Sequence, residues 1–254
     1  MESNQIFDIK RFWLTLKRDI IANLKTYLSI LFIVLGLFLL GYFFKFFISM
    51  FSNVPQTVNV YKLRVLSKLG FLIVGTIFSG IAFKDFRNKL TTMTYLMLPA
   101  SKLEKFLSVW LITTLGFIVT YFVSFIVFNF ALMLLGLIFG VSVPFLNFFA
   151  VPGYWTIIGI YLVVQSIFLA GAATFEKVPI LITLLIYWLI QFIFNIALGL
   201  VALLIFMKIA VNYNIEPAIA LKFNLLKQIG KLLLYITPFV FWTITYFKLS
   251  EKQV

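Results

Sequence analysis

Residues 106–140 read FLSVWLITTLGFIVTYFVSFIVFNFALMLLGLIFG and contain no charged side chain. As one α-helix this stretch would be ~50 Å long, whereas the hydrocarbon core of a bilayer is ~30 Å thick. It also lacks the alternating segments of ~10 residues that are typical of outer-membrane barrels. The stretch therefore predicts a membrane helix that tilts, bends or protrudes.

The composition of the whole chain supports the same fold class. Its mean hydropathy is +1.10, and 11% of its residues are charged, against ~25% in soluble proteins. The sequence predicts an all-α membrane protein with one transmembrane domain, residues 1–254, and no second domain. Six spans are expected: residues 27–48, 66–83, 106–140, 155–175, 178–207 and 231–247.

The Lys and Arg residues predict the orientation of these spans. The net charge is +13, but the cations lie between the apolar runs, which favours topology signals and headgroup contacts over nucleic-acid binding. The first apolar run is longer than a signal-peptide core and is predicted to be a retained span. With six spans, 13 of the 21 Lys and Arg fall on the side of the two termini. We expect both termini in the cytoplasm and the chain in the cell membrane.

Two segments are amphipathic rather than continuously apolar. In the first, apolar residues recur at helical spacing from Ile9 to Ile20, with Arg11 and Arg18 between them. The second follows Pro217 and carries an apolar stripe from Ile219 to Ile229. Such patterns are typical of helices that lie in the headgroup plane. The first, within residues 1–26, is predicted to be a separate cytoplasmic interfacial helix, as an anchor or with a coupling role.

Several kinds of chemistry lack their usual residues. The chain has no His and no Cys, and none of its eight carboxylates falls in the middle of a predicted span, which counts against metal binding, catalysis and ion-coupled transport. Gly75 and Gly80 have the spacing of a phosphate-binding loop, but the required Lys does not follow. The sequence predicts no enzyme and no cofactor, so any nucleotide hydrolysis belongs to another chain.

Polar side chains inside the predicted spans are amides and hydroxyls. The amides are Asn129, Gln165, Gln191 and Asn195. Hydrogen bonds between helices are the favoured role for each of them, and contact with a transported substrate is the alternative.

The loop before residue 106 contains a helix-start signal. Ser101 and Glu104 have the S-x-x-E spacing of a capping box, and Pro99 disfavours helix at Leu98. A helix is therefore predicted to begin near Lys102 and to run into the third span. Tyr95-Leu-Met-Leu98, just before the Pro, is too short to span and too apolar to be simply solvated, which predicts packing under the bilayer surface or against another protein. A well-capped linker is the alternative.

Residues 89–106, KLTTMTYLMLPASKLEKF, resemble the signature loop of ABC-2-type transporter permeases. That family has a charged start, a turn, a short apolar segment and a Pro-x-Ser before a helix with acidic and basic residues. Residues 83–89, 175–177 and 11–27 are similar to further parts of the same family. One departure is Asn88-Lys89, where the family often has an acidic residue.

The resemblance implies the membrane-spanning subunit of an ATP-driven exporter, which works as a homodimer or heterodimer with separate ATPase subunits. In that family the cytoplasmic loop, here 84–105, transmits motion from the ATPase. The implied coupling residues are Arg87, Tyr95, Leu96, Leu98, Pro99, Ser101, Lys102 and Glu104. A membrane scaffold or regulatory protein of the same fold is the alternative function.

Overall fold

The computed structural model describes residues 7–51, 60–87, 89–145, 153–211 and 216–251. Across these residues the chain is helical and has no β-strand. The α-helices are α1 (Ile9–Phe51), α2 (Val60–Gly80), α3 (Lys89–Leu96), α4 (Lys102–Leu111), α5 (Phe117–Ile138), α6 (Tyr154–Thr174), α7 (Pro179–Val211) and α8 (Glu216–Glu251). A 3-10 turn, Lys84–Arg87, precedes α3, and a π-helical segment, Ile112–Gly116, joins α4 to α5.

Five helical stretches in the described part of the chain are long and apolar enough to cross a membrane. They are Ile9–Ile48, Tyr61–Gly80, Lys102–Ile138, Tyr154–Thr174 and Pro179–Val201. These helices indicate a multi-pass membrane protein and match the first five predicted spans in order. The sixth predicted span, 231–247, lies inside α8, whose side chains are described only in part.

The two amphipathic segments are continuous with longer helices rather than separate from them. Helix α1 runs without a break from Ile9 to Phe51, because no Gly or Pro interrupts the sequence between the amphipathic part and the apolar part. Helix α8 likewise includes residues 219–229, although the side chains of that apolar stripe lie outside the described residues.

The long apolar run of residues 106–140 contains a change in helix type. At the π-helical segment, Thr113 Oγ1 donates to the carbonyl of Val109, 2.9 Å away, and Thr114 Oγ1 donates to the carbonyl of Trp110. Hydroxyl bonds of this kind and π-helical turns are recognised causes of helix bending. The helix ends at Ile138, just before Gly140, which has a φ of 66°.

Helix α6 lies at the centre of the bundle and packs against α2, α7 and α8. The Tyr161 ring of α6 lies 5.1 Å from the Phe71 ring of α2 and 4.9 Å from the Phe117 ring of α5, measured between ring centroids. A Cβ atom on Gly75 of α2 would lie 2.4 Å from the Tyr161 ring. Glycine at position 75 therefore permits the close approach of α2 and α6.

One end of the bundle holds both ends of the described chain. The Asp8 amide donates to Glu104 Oε1 over 2.6 Å, and Lys102 Nζ donates to the Ser250 carbonyl over 3.4 Å. The start of α4 therefore lies between the start of α1 and the end of α8. We call this end of the bundle the terminal end and the other the opposite end.

Candidate functional site

The capping box predicted at Ser101 is confirmed. Ser101 Oγ accepts from the Glu104 amide over 3.2 Å, and Glu104 Oε2 accepts from the Ser101 amide over 2.8 Å. Helix α4 accordingly begins at Lys102. Its first turn has a fixed direction, so the loop before it leads directly into the third membrane helix.

The other carboxylate oxygen of Glu104 holds the start of α1 against α4. Glu104 Oε1 accepts from the Asp8 amide over 2.6 Å and from Arg11 Nη2 over 3.1 Å. The Glu104 side chain is fully buried, whereas that of Arg11 is 33% exposed. A buried carboxylate requires such donors, because an unpaired charge away from water is costly. One side chain thus joins the cap of α4 to α1.

A second set of polar contacts joins α1 to the 3-10 turn and to α4. Asp19 accepts from Ser108 Oγ over 2.6 Å and from Arg18 Nη1 over 3.0 Å. Arg18 Nη2 also lies 3.7 Å from Asp85 Oδ2. Lys84 Nζ donates to Thr26 Oγ1 over 2.8 Å. The segment that starts at residue 84 is therefore attached to α1 at more than one point.

Tyr95 lies beneath this charged layer. Its side chain is buried and packs in an apolar cluster with Phe83 of the preceding turn and Leu169 of α6. The Arg18 guanidinium lies 5.2 Å and the Lys105 ammonium 5.6 Å from the centre of its ring, both within cation–π range. Burial raises the pKa of the Tyr95 phenol well above its usual range, so the group stays neutral.

The buried position of Tyr95 changes its expected role. The sequence predicts Tyr95 as an aromatic residue that contacts a partner, but the protein itself covers this ring. Leu98 is half-buried and packs against the same cluster. In this structure Tyr95 fixes α3 to the body of the protein and is not available as an outer contact surface, whereas Leu98 remains partly exposed.

The outer surface of the loop is formed by other residues. Met93 is 56% exposed and Met97 80% exposed, and Pro99 is also exposed. A cavity of about 240 Å³ lies beside Pro99, between α1 and residues 98–100. The side chains of Arg87 and Leu96 lie outside the described part of the chain.

The four amides predicted within the spans are not brought together. Gln165 of α6 is fully buried, donates to Thr113 Oγ1 and accepts from Trp242 Nε1, both over 3.0 Å. Asn129 is buried and donates to the Phe125 carbonyl over 2.8 Å. Gln191 and Asn195 are exposed on α7. The role in helix–helix contact is confirmed for Gln165, and no single polar pathway contains all four.

Sequence reasoning missed the polar layer around Thr113. The carbonyl of Thr113 accepts from the Tyr161 hydroxyl, while its hydroxyl accepts from Gln165. Three segments therefore meet at the π-helical turn: the third membrane helix, α6 and, through Trp242, α8. The sequence does contain a sign of this layer: Thr113, Thr114 and Gly116 are polar or small residues inside an otherwise apolar run.

Within the described residues there is no group of three or more His, Cys, Asp or Glu side chains that could hold a metal ion. Comparison of the chain with protein-family models, curated proteins and solved structures gives no match.

Proposed function

We propose that this chain is the permease subunit of an ATP-driven transporter of the ABC-2 type, an exporter that works as a homodimer or heterodimer. One observation supports this most: residues 84–105 form a short, capped, firmly attached segment with Met93 and Met97 exposed on its outside. The chain carries no nucleotide-binding motif of its own. The separate ATPase would bind this segment, and the chain itself would not be an enzyme.

The contacts of the segment suggest how movement would be transmitted. A push on α3 would reach α1 through Arg18, which contacts both Asp19 and Asp85. It would reach α4 through Tyr95, which belongs to the same apolar cluster as Val109 and lies under Lys105. Because α4 continues through the π-helical segment into α5, a tilt at the terminal end would be passed across the membrane. Such rigid-body movement follows when ATP favours one of two ATPase states.

The same proposal includes the orientation of the chain in the cell membrane. We place the terminal end in the cytoplasm, because 13 of the 21 Lys and Arg lie on that side when six spans are drawn. The sixth span would be residues 231–247 of α8, and the first part of α1 would lie at the cytoplasmic interface. An ATPase that uses cytoplasmic ATP can bind residues 84–105 only in this orientation.

The test is copurification of an ATPase with the chain carrying Met93→Ala and Met97→Ala. Exposed side chains at the centre of an interface contribute on the order of 1–2 kcal/mol each, so the double change should lower ATPase recovery tenfold or more. Leu134→Ala with Leu137→Ala is the matched control, because these two side chains are also exposed but lie on α5. The control should leave recovery unchanged.

Two results would contradict the proposal. If wild type brings down no ATPase, the chain functions without one, and the scaffold or regulatory alternative becomes the better explanation. If Met93→Ala with Met97→Ala retains the ATPase fully while the variant keeps its wild-type melting temperature, residues 84–105 are not the contact surface.

A further inference from the structure

A cavity of about 430 Å³ lies between α1 and α2. Its size falls within the range of small-molecule sites, ~300–1,000 Å³. The apolar part of its lining is formed by Leu37 and Phe38 of α1 and Leu66 of α2. Lys45 of α1 and Lys62 of α2 also line it. One space therefore contains both an apolar surface and two cations.

The two kinds of lining residue lie at different depths. Lys45 is six residues before the end of α1 at Phe51, and Lys62 is in the first turn of α2, so both belong to the opposite end. Leu37 lies eight residues before Lys45, which corresponds to ~12 Å along the helix. The cavity is therefore basic near the membrane surface and apolar towards the membrane interior, the same polarity as a lipid.

The charge at this end of α1 and α2 is positive. From residue 20 to residue 84 the sequence contains no Asp or Glu, whereas Arg64 and Lys68 add to the charge of Lys45 and Lys62. Most Lys and Arg of membrane proteins are expected on the cytoplasmic side. The proposed orientation places the opposite end on the other side of the membrane, so topology alone does not explain these cations. Charge complementarity points to an anionic occupant.

We propose that the cavity between α1 and α2 binds one anionic phospholipid, with its phosphate at Lys45 and Lys62 and an acyl chain along Leu37, Phe38 and Leu66. Lysine side chains near a membrane surface extend towards headgroups and attract anionic lipid. The proposal does not require an ATPase partner, because it concerns the opposite end of the bundle from residues 84–105, and only its charge argument rests on the proposed orientation.

Gly41 offers a steric test of this site. It also lines the cavity, and a Cβ atom added to it would meet no heavy atom within 4 Å. The Cβ atom of Gly41→Leu would therefore meet no clash, and the larger side chain would take up part of the cavity. Gly36 of α1 is a matched control, since its added Cβ atom would also meet nothing within 4 Å and it does not line the cavity.

The experiment is native mass spectrometry of the purified full chain with phosphatidylglycerol, and with phosphatidylcholine of the same acyl chains. Wild type should retain one phosphatidylglycerol in preference to phosphatidylcholine. Lys45→Gln with Lys62→Gln should weaken phosphatidylglycerol binding about 30-fold, as expected for two cations near an anionic lipid. Lys17→Gln with Lys25→Gln, a change of equal charge in the first half of α1, should leave binding unchanged.

Two further measurements complete the test: the glycine variants at positions 41 and 36, and competition by a soluble phosphate. Gly41→Leu should abolish retention of phosphatidylglycerol, while Gly36→Leu should keep it, and circular dichroism should verify that all variants are folded. Unchanged binding in Lys45→Gln with Lys62→Gln, or in Gly41→Leu, would overturn the proposal. Displacement of the lipid by equimolar glycerol 3-phosphate would also overturn it, because the site would then recognise a soluble phosphate without the acyl chain.

Discussion

Helices α6 and α7 follow each other in the chain and are equally apolar, but only α6 lies in the interior of the protein. Their most apolar windows have mean hydropathies of 2.0 and 2.2. Within this chain, 50% of the window in α6 is buried, whereas only 6% of the window in α7 is buried. Within this chain, every described residue from Leu184 to Val201 is exposed. Hydropathy thus identifies both as membrane helices but does not indicate which of them faces protein.

Side-chain size and polarity explain the difference better than hydropathy. Near its end, α6 carries Ala170, Gly171, Ala172 and Ala173, and it contains the buried polar side chains of Gln165 and Ser166. In α7, bulky Leu, Ile, Phe and Trp side chains dominate. Lipid is as apolar as Leu, so membrane helices associate through close packing of small residues and through hydrogen bonds. Matched substitutions in the two helices can test this explanation.

The largest difference is expected between Gly171→Leu in α6 and Gly199→Leu in α7. A Cβ atom at position 171 would lie 1.8 Å from Thr183 Oγ1, and Thr183 is itself buried. Overpacking of this kind costs about 1–3 kcal/mol or more. At position 199 an added Cβ atom would meet no heavy atom within 4 Å, so this change should be neutral or slightly stabilising.

The melting temperatures of the purified variants in detergent measure this difference. A lower value for Gly171→Leu with an unchanged value for Gly199→Leu would support the assignment of α6 to the interior. Equal losses in both variants would mean that another molecule packs closely against Gly199 in the assembled protein. No loss in either would contradict the close contact of Gly171 with α7.

The next difference is expected between Gln165→Leu and Gln191→Leu, which make the same chemical change in the two helices. Gln165 makes two side-chain hydrogen bonds, to Thr113 and to Trp242. Bonds between membrane helices are worth about 0.6–1.7 kcal/mol each, so Gln165→Leu should cost about 1–3 kcal/mol. Gln191 is exposed, and its replacement should change the unfolding free energy by less than about 0.5 kcal/mol.

Unfolding of the two variants in mixed detergent micelles checks this expectation. An equal cost for both changes would show that the amide of Gln191 also has a buried partner in the assembled protein, and the exposure of α7 in the single chain would then not describe the assembly. A negligible cost for Gln165→Leu would mean that the layer around Thr113 contributes little to stability.

Features that depend on nearby residues were predictable from the sequence. The membrane helices follow from apolar runs, and the cap at Ser101 follows from a spacing of three residues. The contact between Glu104 and Arg11, which are 93 residues apart, was not predictable, because it requires the relative placement of α1 and α4. The continuity of α1 was also missed, since an amphipathic pattern does not show whether a helix continues into the membrane.

Tyr95 shows why the burial of a side chain in this loop was not predictable from the sequence. An aromatic residue with basic neighbours is typical of an interface, but the same pattern also produces a buried ring covered by Arg18 and Lys105. The sequence cannot distinguish these cases, because the cations that cover the ring come from other helices. Among the exposed residues of the loop, Met93 was not singled out and Met97 was named only as part of Tyr95-Leu-Met-Leu98, since apolar side chains in a short segment give no sign of their direction.

The smallest difference is expected between Tyr161→Phe in α6 and Tyr187→Phe in α7. Tyr161 donates its hydroxyl to the Thr113 carbonyl, while its ring packs between Phe71 and Phe117. The change to Phe removes the hydroxyl and keeps the ring, so the loss should be that of one hydrogen bond, about 0.6 kcal/mol. Tyr187 is 43% exposed, and its hydroxyl should contribute nothing measurable. Thermal unfolding of both variants in the same detergent measures the difference, and an equal loss in the two would contradict the explanation that buried polar contacts distinguish α6 from α7.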